Sequence, residues 1–325
     1  MSGRRLAVVI PAYRASRTLP RLLDSLAAGS DRPDEVIVVD DGSPDFQPPS
    51  ASGLSVRCLR LEHQGPVAAR NAGWRAAEGE WVAFVDSDCT VAPGWCSAYR
   101  AAIAAHPEAA VLEGPLHETY TEGFFRHWAD NRRPGRYPTA NIAYRRDVLA
   151  AIGGLDPLFQ WGRFYFREDS DVALRALAVG PAVWVGDALA RHHGRRVGLW
   201  RKLREAWRYA LDPPFVRRHG LRGLRIDGVA IGPWRLVAPR QISAVAVTLL
   251  WVGALVWHPL ALGALAATAV RAAFVVSREG WAPAELPLVI LEQLLEPVAL
   301  TGALVAGAVR VLALGGAGQV PVHDL

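Results

Sequence analysis

The hydrophobic positions of the first 85 residues fall into short uninterrupted runs, separated by stretches with helical spacing. Each run lacks the polar alternation of a half-exposed strand, so it predicts a strand buried on both faces. The first run is stopped by Pro11, and leucines recur along one helical face just after it. The predicted strands cover residues 6–10, 36–39, 56–61 and 81–85, and the predicted helices cover residues 18–28 and 67–77.

Strands and helices continue to alternate, less regularly, to about residue 195. Further strands are predicted at 109–112, 139–144 and 182–185, and a further helix at 168–179. This alternation predicts an α/β, Rossmann-like domain whose mostly parallel sheet is covered by helices on both faces. Ligands of such sheets bind at the carboxyl ends of the strands, so polar motifs at those ends are candidate site residues.

The last quarter of the chain has a different pattern, because no formal charge lies between Arg240 and Arg271. That stretch is longer than one membrane span and short for two, so one long tilted helix and a tight helical hairpin both stay open. A second apolar stretch, 286–312, is interrupted by Glu292 and Glu296, which we expect to face protein, water or headgroups. The pattern favours a membrane region, and a buried helical subdomain is the alternative.

Charge supports the membrane interpretation. The 325 residues carry a formal net charge of +5, and residues 191–240 hold thirteen Lys and Arg against three acids, directly before the apolar stretch. Basic residues beside an apolar segment favour a cytoplasmic membrane face, whereas a nucleic-acid surface more often interleaves stacking aromatics.

Three scattered cysteines exclude a disulfide framework and indicate a reducing compartment. The apolar run at 6–10 is shorter than the core of a secretory signal.

These patterns predict four regions. Residues 1–222 form the α/β domain, including a basic amphipathic segment from about residue 197. Residues 223–240 form a basic linker, residues 241–315 form two to three transmembrane or membrane-embedded helices, and residues 316–325 form a tail.

Three acidic motifs could carry chemistry. Asp40-Asp41-Gly42-Ser43 follows a predicted strand, where it is either an ordinary turn or a carboxylate that accepts hydrogen bonds from a nucleobase or ribose. Asp86-Ser87-Asp88 follows another strand and projects two carboxylates to the same side. Such a pair repels unless a cation compensates, and its oxygens suit Mg²⁺ or Mn²⁺.

The third motif, Glu168-Asp169-Ser170-Asp171, opens a predicted helix. Acids in a first helical turn commonly complement the helix dipole. The functional interpretation is a general base that takes the proton from an attacking hydroxyl.

Together with further segments, these motifs resemble family 2 glycosyltransferases over about residues 5–195. The matching segments are LAVVIPAY at 6–13, VVDDGS at 38–43, GPVAARNAG at 65–73, GEWVAFVDSD at 79–88, ANIAYRR at 140–146, GGLDPLF at 153–159 and EDSDVALR at 168–175. One such segment is weak evidence, whereas the whole ordered series is specific. Cys89 departs from the family pattern, in which an acid or a small residue often follows Asp-Ser-Asp.

The resemblance implies a GT-A fold, a UDP- or GDP-sugar donor, a divalent cation (Mg²⁺ or Mn²⁺) and inversion at the anomeric carbon. It assigns Pro11 and Tyr13 to the border of the base, Asp41 or Asp40 to accept from the base, Arg70 to the base or phosphates, Asp86 to the ribose or sugar, Asp88 to the metal, and Asp169, with its neighbour Glu168, to base catalysis. His192 or His193 (we favour His193) is an additional metal or diphosphate contact, with a packing pair as the alternative. Asn141 and Trp161 are expected acceptor contacts.

The sequence therefore predicts an inverting glycosyltransferase at the cytoplasmic face of the inner or cytoplasmic membrane, with a lipid-linked acceptor or a cell-envelope glycan precursor and no nucleic-acid partner. A degenerate GT-A binding or scaffold protein is the first alternative, which the intact acids at 86, 88, 168 and 169 disfavour. A nucleotidyltransferase is the second, and it lacks the glycine-rich, lysine-bearing loop expected near the first strand.

Overall fold

The computed structural model describes residues 5–49, 51, 53–119, 130–162, 164–194, 196–224, 229–231, 234–236, 239–279 and 285–315. The chain divides into two compact units, Met1–Thr119 with Trp128–Gly194, and Tyr120–His127 with Arg195–Leu325. We predicted that the first domain ends at residue 222, whereas the structure groups the chain from Arg195 onward with the C-terminal helices. The predicted tail and parts of the predicted linker lie outside the described residues.

The first unit alternates strands and helices, as the apolar runs predict. Its strands are β1 (Leu6–Ala12), β2 (Glu35–Asp40), β3 (Val56–Arg60), β4 (Trp81–Val85), β5 (Cys89–Val91), β6 (Val111–Glu113), β7 (Leu116–Glu118), β8 (Asn141–Arg145), β9 (Gln160–Trp161), β10 (Phe164–Tyr165), β11 (Ala182–Trp184) and β12 (Ala190–His192). Its helices are α1 (Leu19–Ala27), α2 (Pro66–Ala76), α3 (Trp95–Ala105), α4 (Arg146–Ile152) and α5 (Glu168–Leu177), with a 3₁₀ turn at Pro157–Phe159.

A seven-stranded sheet in the order β11-β6-β8-β4-β1-β2-β3 forms the centre of this unit. Its neighbours pair in parallel except at β8, which runs antiparallel to β4 and β6. Alternate residues of β1 enter two separate cores: Val8 and Ile10 pack on one face of the sheet, and Ala7 and Val9 on the other. Both faces are thus covered, which explains why the strands read as continuous apolar runs.

A second sheet of three short strands, in the order β5-β12-β7, was not predicted. Each strand has three residues and includes a polar one (Cys-Thr-Val, Leu-His-Glu and Ala-Arg-His), so no apolar run marks it in the sequence. The register of β12 places His192 opposite Cys89 on β5 and opposite Glu118 on β7. This small sheet therefore brings three distant parts of the chain to one place.

The second unit is mainly helical. Its elements are α6 (Leu199–Glu205), a 3₁₀ helix (Ala206–Leu211), α7 (Asp212–Gly223), the hairpin β13 (Val229–Ile231) and β14 (Trp234–Leu236), α8 (Pro239–Val256), α9 (Leu260–Glu279) and α10 (Leu286–Gly315). Among the described helices, one stretch, Pro287–Ala313, is long and apolar enough to cross a membrane by length and composition, while Arg240–Val256 and Leu260–Ala273 are shorter.

The uncharged stretch after Arg240 folds as two helices, α8 and α9, joined at Trp257–Pro259. Of the two arrangements that the sequence left open, the structure has the helical hairpin. The acids of α10 face protein: Glu296 pairs with Arg240 at 2.9 Å and with Arg271. Glu292 is also buried. Burial of the Glu296 charge requires partners, and the arginines of α8 and α9 supply them.

Candidate active site

The end of β2 holds the first acidic motif in a tight, fully bonded turn. Asp40 is buried and accepts a hydrogen bond from the Ser43 amide at 3.1 Å. Asp41 is also buried, and its two oxygens accept from the amides of Gln64 at 2.6 Å and Gly65 at 2.8 Å. Both carboxylates are thus engaged with backbone, and Asp41 fixes the loop that leads into α2.

An aromatic surface lies beside this turn. The rings of Tyr13 and His63 stack with centroids 4.2 Å apart, and the Arg14 guanidinium lies 5.4 Å from the Tyr13 centroid. Tyr13 is 41% exposed, and Pro11 is half-buried in β1 just before it. His63 was not among the predicted site residues. Its position just after β3, at the same edge as Asp41, was the available signal.

A buried arginine links the second and third acidic motifs. Arg70 on α2 donates from Nη2 to Asp86 Oδ1 at 2.7 Å, and its Nη1 lies 3.9 Å from Glu168 Oε1. Nε and Nη1 of Arg70 are buried without a hydrogen-bond partner. The structure therefore brings the Arg70 guanidinium and the carboxyl groups of Asp86 and Glu168 into one cluster.

Two neighbouring acids open α5. Burial and, next in size, the charge of Asp169 raise the pKa of Glu168 to about 8, although the charge of Arg70 opposes both effects. Asp169 is half-buried, and its Oδ1 accepts from the Ser170 amide at 2.6 Å. Glu168 consequently keeps its proton to a higher pH than an ordinary glutamate, and Asp169 is the better placed of the two to accept a proton.

This pKa predicts a pH-dependent stability. A carboxyl whose pKa is higher in the folded state stabilises the fold below its unfolded pKa, and that contribution disappears as the pH rises through the folded value. For Glu168 the window runs from about 4.5 to about 8. We expect Glu168→Gln to raise the melting temperature at pH 9 by roughly 2–5 °C relative to wild type, with no gain at pH 4.

The measurement is thermal unfolding of both proteins across that pH range. The exposed Glu108→Gln serves as the control, and its difference from wild type should not follow the pH. A constant offset between Glu168→Gln and wild type at all pH values would contradict the assignment.

The second acid of Asp86-Ser87-Asp88 faces a histidine. Asp88 has a side chain that is 40% exposed, and its Oδ2 lies 3.5 Å from His192 Nε2. The other ring nitrogen, Nδ1, bonds the buried Glu118 at 2.9 Å. Burial opposes protonation, but hydrogen bonds and charges from Asp88 and Glu118 outweigh it and raise the pKa of His192 to about 10.

The neighbouring His193 points elsewhere. Its Nε2 lies 2.9 Å from Thr90 Oγ1 and its Nδ1 lies 3.2 Å from Thr119 Oγ1. Burial and the charges of Arg21 and His192 lower its pKa. The structure thus brings His192, and not the favoured His193, against Asp88. Glu118, which no motif marks, was missed because only the pairing of β7 with β12 reveals it.

The hairpin β9–β10 and the loop at 135–137 are each fixed by hydrogen bonds. Trp161 is 40% exposed on the hairpin β9–β10, whose Gln160 donates from Nε2 to the Gln64 carbonyl at 2.5 Å. Glu113, another residue that sequence reasoning missed, is buried at the end of β6. Its oxygens accept from the amides of Gly135, Arg136 and Tyr137, at 2.7, 3.0 and 2.7 Å. It therefore fixes residues 135–137.

Asn141 supports the core of the first unit. Its Oδ1 accepts from Trp95 Nε1 at 2.9 Å and Tyr99 Oη at 3.0 Å, and its Nδ2 donates to the carbonyls of Pro115 and Ala188 at 2.7 Å each. The side chain is fully buried. An asparagine amide makes at most four such bonds, so these contacts give no support to the predicted acceptor role.

We expect Asn141→Ala to destabilise the fold by on the order of 3 kcal/mol, since the Trp95 and Tyr99 donors would lose their buried acceptor. Urea unfolding monitored by tryptophan fluorescence measures the effect. The control is Ser97→Ala, which truncates an exposed polar side chain. Unchanged stability with a raised acceptor KM would instead support the acceptor role.

The Asp88 carboxylate suits a divalent cation that is held by few protein ligands. No group of three or more His, Cys, Asp or Glu side chains within the described ranges is arranged to hold a metal ion. Mg²⁺ is commonly bound by one or two carboxylates together with substrate phosphates, instead of by an all-protein cage. The partly exposed Asp88 has the hard oxygen ligands that such a site requires.

The comparisons with known proteins decide the family. A sequence model described as Glycosyl transferase family 2 matches residues 7–168. This range contains the first two acidic motifs and ends at Glu168, the first residue of the third. The chain belongs to the family 2 glycosyltransferases. The resemblance seen in the sequence is thereby confirmed.

Two relatives are similar to this glycosyltransferase over different lengths. An uncharacterized glycosyltransferase of Haemophilus influenzae is 32% identical over 187 residues, which cover 53% of this chain and 62% of the relative. A pre-mycofactocin glycosyltransferase of Mycobacterium tuberculosis is 30% identical over 264 residues, which cover 73% of this chain and 53% of the relative. The chain therefore spans less than two thirds of the length of either relative.

Among solved structures, a mannosyltransferase from Pyrobaculum calidifontis, in complex with GDP-Man and Mn²⁺, has a TM-score of 0.52 and 20% identity to this glycosyltransferase. The match covers 95% of this chain and 87% of that one. The predicted GT-A fold, with its mixed α/β sheet, is confirmed.

Proposed function

We propose that this family 2 glycosyltransferase moves a sugar, with inversion, from a UDP- or GDP-sugar to a hydroxyl or phosphate group of its acceptor. The observation that carries the proposal is the cluster in which Arg70 bonds Asp86 and lies 3.9 Å from Glu168. Through it, the strand-end acids and the acids that open α5 belong to one site. The four acids are intact, which disfavours a degenerate scaffold.

Asp169 is the proposed general base. The acceptor oxygen forms a bond to the anomeric carbon as the bond from that carbon to the leaving diphosphate breaks, and the acceptor proton passes to the Asp169 carboxylate. Inversion requires the acceptor to attack from the face opposite the leaving group. Burial and the charge of Asp169 raise the pKa of Glu168 to about 8. Near neutral pH Glu168 is therefore a poorer proton acceptor than Asp169.

Asp86 and Arg70 are proposed to contact the donor, with Arg70 setting the direction of the Asp86 carboxylate. Asp88 is the proposed ligand of Mg²⁺ or Mn²⁺, beside His192. When bound, such a cation neutralises charge on the diphosphate oxygens. The relative solved with GDP-Man and Mn²⁺ supports a nucleotide-sugar donor and a divalent cation.

The stacked pair Tyr13 and His63 is the proposed platform for the nucleotide base, because it combines an exposed aromatic face with neighbouring backbone groups. The proposed contribution of Asp41 to base binding is indirect, because its carboxylate fixes the adjoining loop. Trp161 is proposed to contact the acceptor from the hairpin β9–β10.

We place the enzyme at the cytoplasmic face of a bacterial membrane, acting on a lipid-linked or envelope-glycan acceptor. The excess of basic residues at 191–240 and the apolar helices that follow support this location.

The test is transfer and donor hydrolysis by the full chain over a panel of UDP- and GDP-sugars, each with Mn²⁺, with Mg²⁺ and with EDTA. We expect one nucleotide class to be turned over and EDTA to abolish the rate. Donor binding without turnover of any sugar would favour the scaffold alternative. Nucleotide transfer, with release of diphosphate, would favour a nucleotidyltransferase.

A further inference from the structure

The second unit exposes a broad apolar surface on α8, α9 and α10. Leu255, Val256 and Leu262, around the turn of the hairpin, are 83%, 87% and 76% exposed. Further apolar side chains on the same helices are exposed, among them Leu249, Val252, Leu265, Val270 and Leu312, at 52–77%. Single exposed apolar side chains are ordinary, but so many on three helices that pack together mark an interaction surface.

Charged residues interrupt or border the apolar stretch of each of these helices, including Pro287–Ala313 of α10, which has the length and composition of a span but contains Glu292, Glu296 and Arg310. In α10 the uncharged residues 297–309 lie between Glu296 and Arg310, and in α9 residues 260–270 end at Arg271. The helix α8 has 18 residues, with Arg240 in its first turn. A spanning helix needs about 20 apolar residues, and stretches of roughly 10–14 are typical of interfacial or packed helices.

The C-terminal half of α10 also lies beside polar chain. Gly307 packs so closely on the Ala210 backbone that a side chain would not fit, and Arg217 Nη1 donates to the Val311 carbonyl at 3.0 Å. Arg217 itself is exposed. If α10 crossed the bilayer upright, the Arg217 guanidinium would stand in or near the hydrocarbon, where an exposed charge is strongly disfavoured.

The helix α8 runs alongside the same part of α10. Arg240 pairs with Glu296 at 2.9 Å, and Thr248 accepts from Thr301 at 3.1 Å, so the two helices advance in the same direction. Trp251 of α8 in turn donates to Thr268 of α9 at 3.1 Å. The three helices therefore form one packed group, and the segment at 199–223 lies along α10.

We infer that this unit binds one leaflet of an anionic membrane, with α8, α9 and α10 lying in the interface and not crossing the bilayer. The occupant of the apolar surface is lipid, because residues 195–240 of this unit carry twelve Lys and Arg against three acids, and Arg204 and Arg217 among them are exposed and can meet anionic headgroups. The hairpin turn at His258 and the chain end then stay on the side of the membrane from which the protein binds. This inference rests on the membrane location proposed above and is independent of the donor chemistry.

Flotation of the purified full chain tests the attachment. We expect co-flotation with phosphatidylcholine vesicles that contain phosphatidylglycerol, and weaker binding to phosphatidylcholine alone. Leu255→Asp with Leu262→Asp should reduce the bound fraction about tenfold, whereas the control Val179→Asp, an exposed apolar position of the first unit, should not. Absence of flotation by the wild type would overturn the attachment.

Cysteine labelling in sealed spheroplasts tests the one-leaflet arrangement. In a Cys58→Ser background, where Cys89 and Cys96 are buried, a cysteine is placed at His258→Cys, after Leu325, or after Met1 as the control. We expect an impermeant maleimide to label none of them until detergent is added. Labelling of the position-258 cysteine in sealed spheroplasts would show a spanning hairpin, and labelling at the chain end would show a crossing α10. Either result overturns the inference while leaving glycosyl transfer, measured separately, intact.

Discussion

Replacement of Asp169 by Asn is expected to lower turnover by about 10²–10⁴-fold and to leave donor binding unchanged. The amide keeps an oxygen that can accept from the Ser170 amide, as Oδ1 does now at 2.6 Å, so the first turn of α5 keeps its bond. What disappears is the capacity to take the acceptor proton. Single-turnover rates and donor titration by calorimetry separate these two effects.

The residual activity of the same variant should report on Glu168. The charge of Asp169 is one of the causes that hold the pKa of Glu168 at about 8, after burial. Without that charge Glu168 ionises at lower pH, and any base catalysis that it supplies appears earlier in the pH profile. A residual rate that rises with pH between about 5 and 8 would indicate that Glu168 substitutes for Asp169.

Two further variants make this result interpretable. Asp24→Asn changes an exposed acid on α1 and should leave turnover at the wild-type value. Glu168→Gln should lower turnover less than Asp169→Asn does. If instead Asp169→Asn retains full turnover and Glu168→Gln loses it, the two acids have the opposite roles.

The long apolar runs predicted the central sheet well, because strands buried on both faces leave a dense signal in the sequence. Strand β4 has the predicted bounds 81–85, and β1 and β2 extend theirs by one or two residues at an end. The three-residue strands β5, β7 and β12 leave no such signal. Their positions depend on pairing across the fold, and the contact between Glu118, His192 and Asp88 depends on them.

The candidate site divides in the same way. The acids at 86, 88, 168 and 169 could be named because short motifs mark them, and the structure joins Asp86 to Glu168 through Arg70. Residues whose partners are distant in the chain could not be predicted as site residues from the sequence. Glu113 binds amides 22–24 positions away, and the choice of His192 over His193 depends on which side of β12 faces Asp88.

Replacement of Asp88 by Asn is expected to abolish the stimulation of donor binding by Mn²⁺ and to lower turnover by roughly 10³-fold or more, since a divalent cation supplies several kcal/mol of charge stabilisation. A neutral amide is a much weaker ligand for a hard cation than a carboxylate. Calorimetric titration with UDP or GDP, with and without Mn²⁺, measures the binding term directly. Wild type should bind more tightly with the metal, and the variant should bind equally with or without it.

The surroundings of Asp88 give this prediction a second readout. Hydrogen bonds and charges from Asp88 and Glu118 outweigh burial and raise the pKa of His192 to about 10. Loss of the Asp88 charge should therefore lower that pKa, which NMR titration of the imidazole can follow even if the variant is inactive. The exposed Asp187→Asn is the matched control and should change neither readout. Retained Mn²⁺ stimulation together with a lowered His192 pKa would mean that Asp88 holds the histidine and that the cation binds elsewhere.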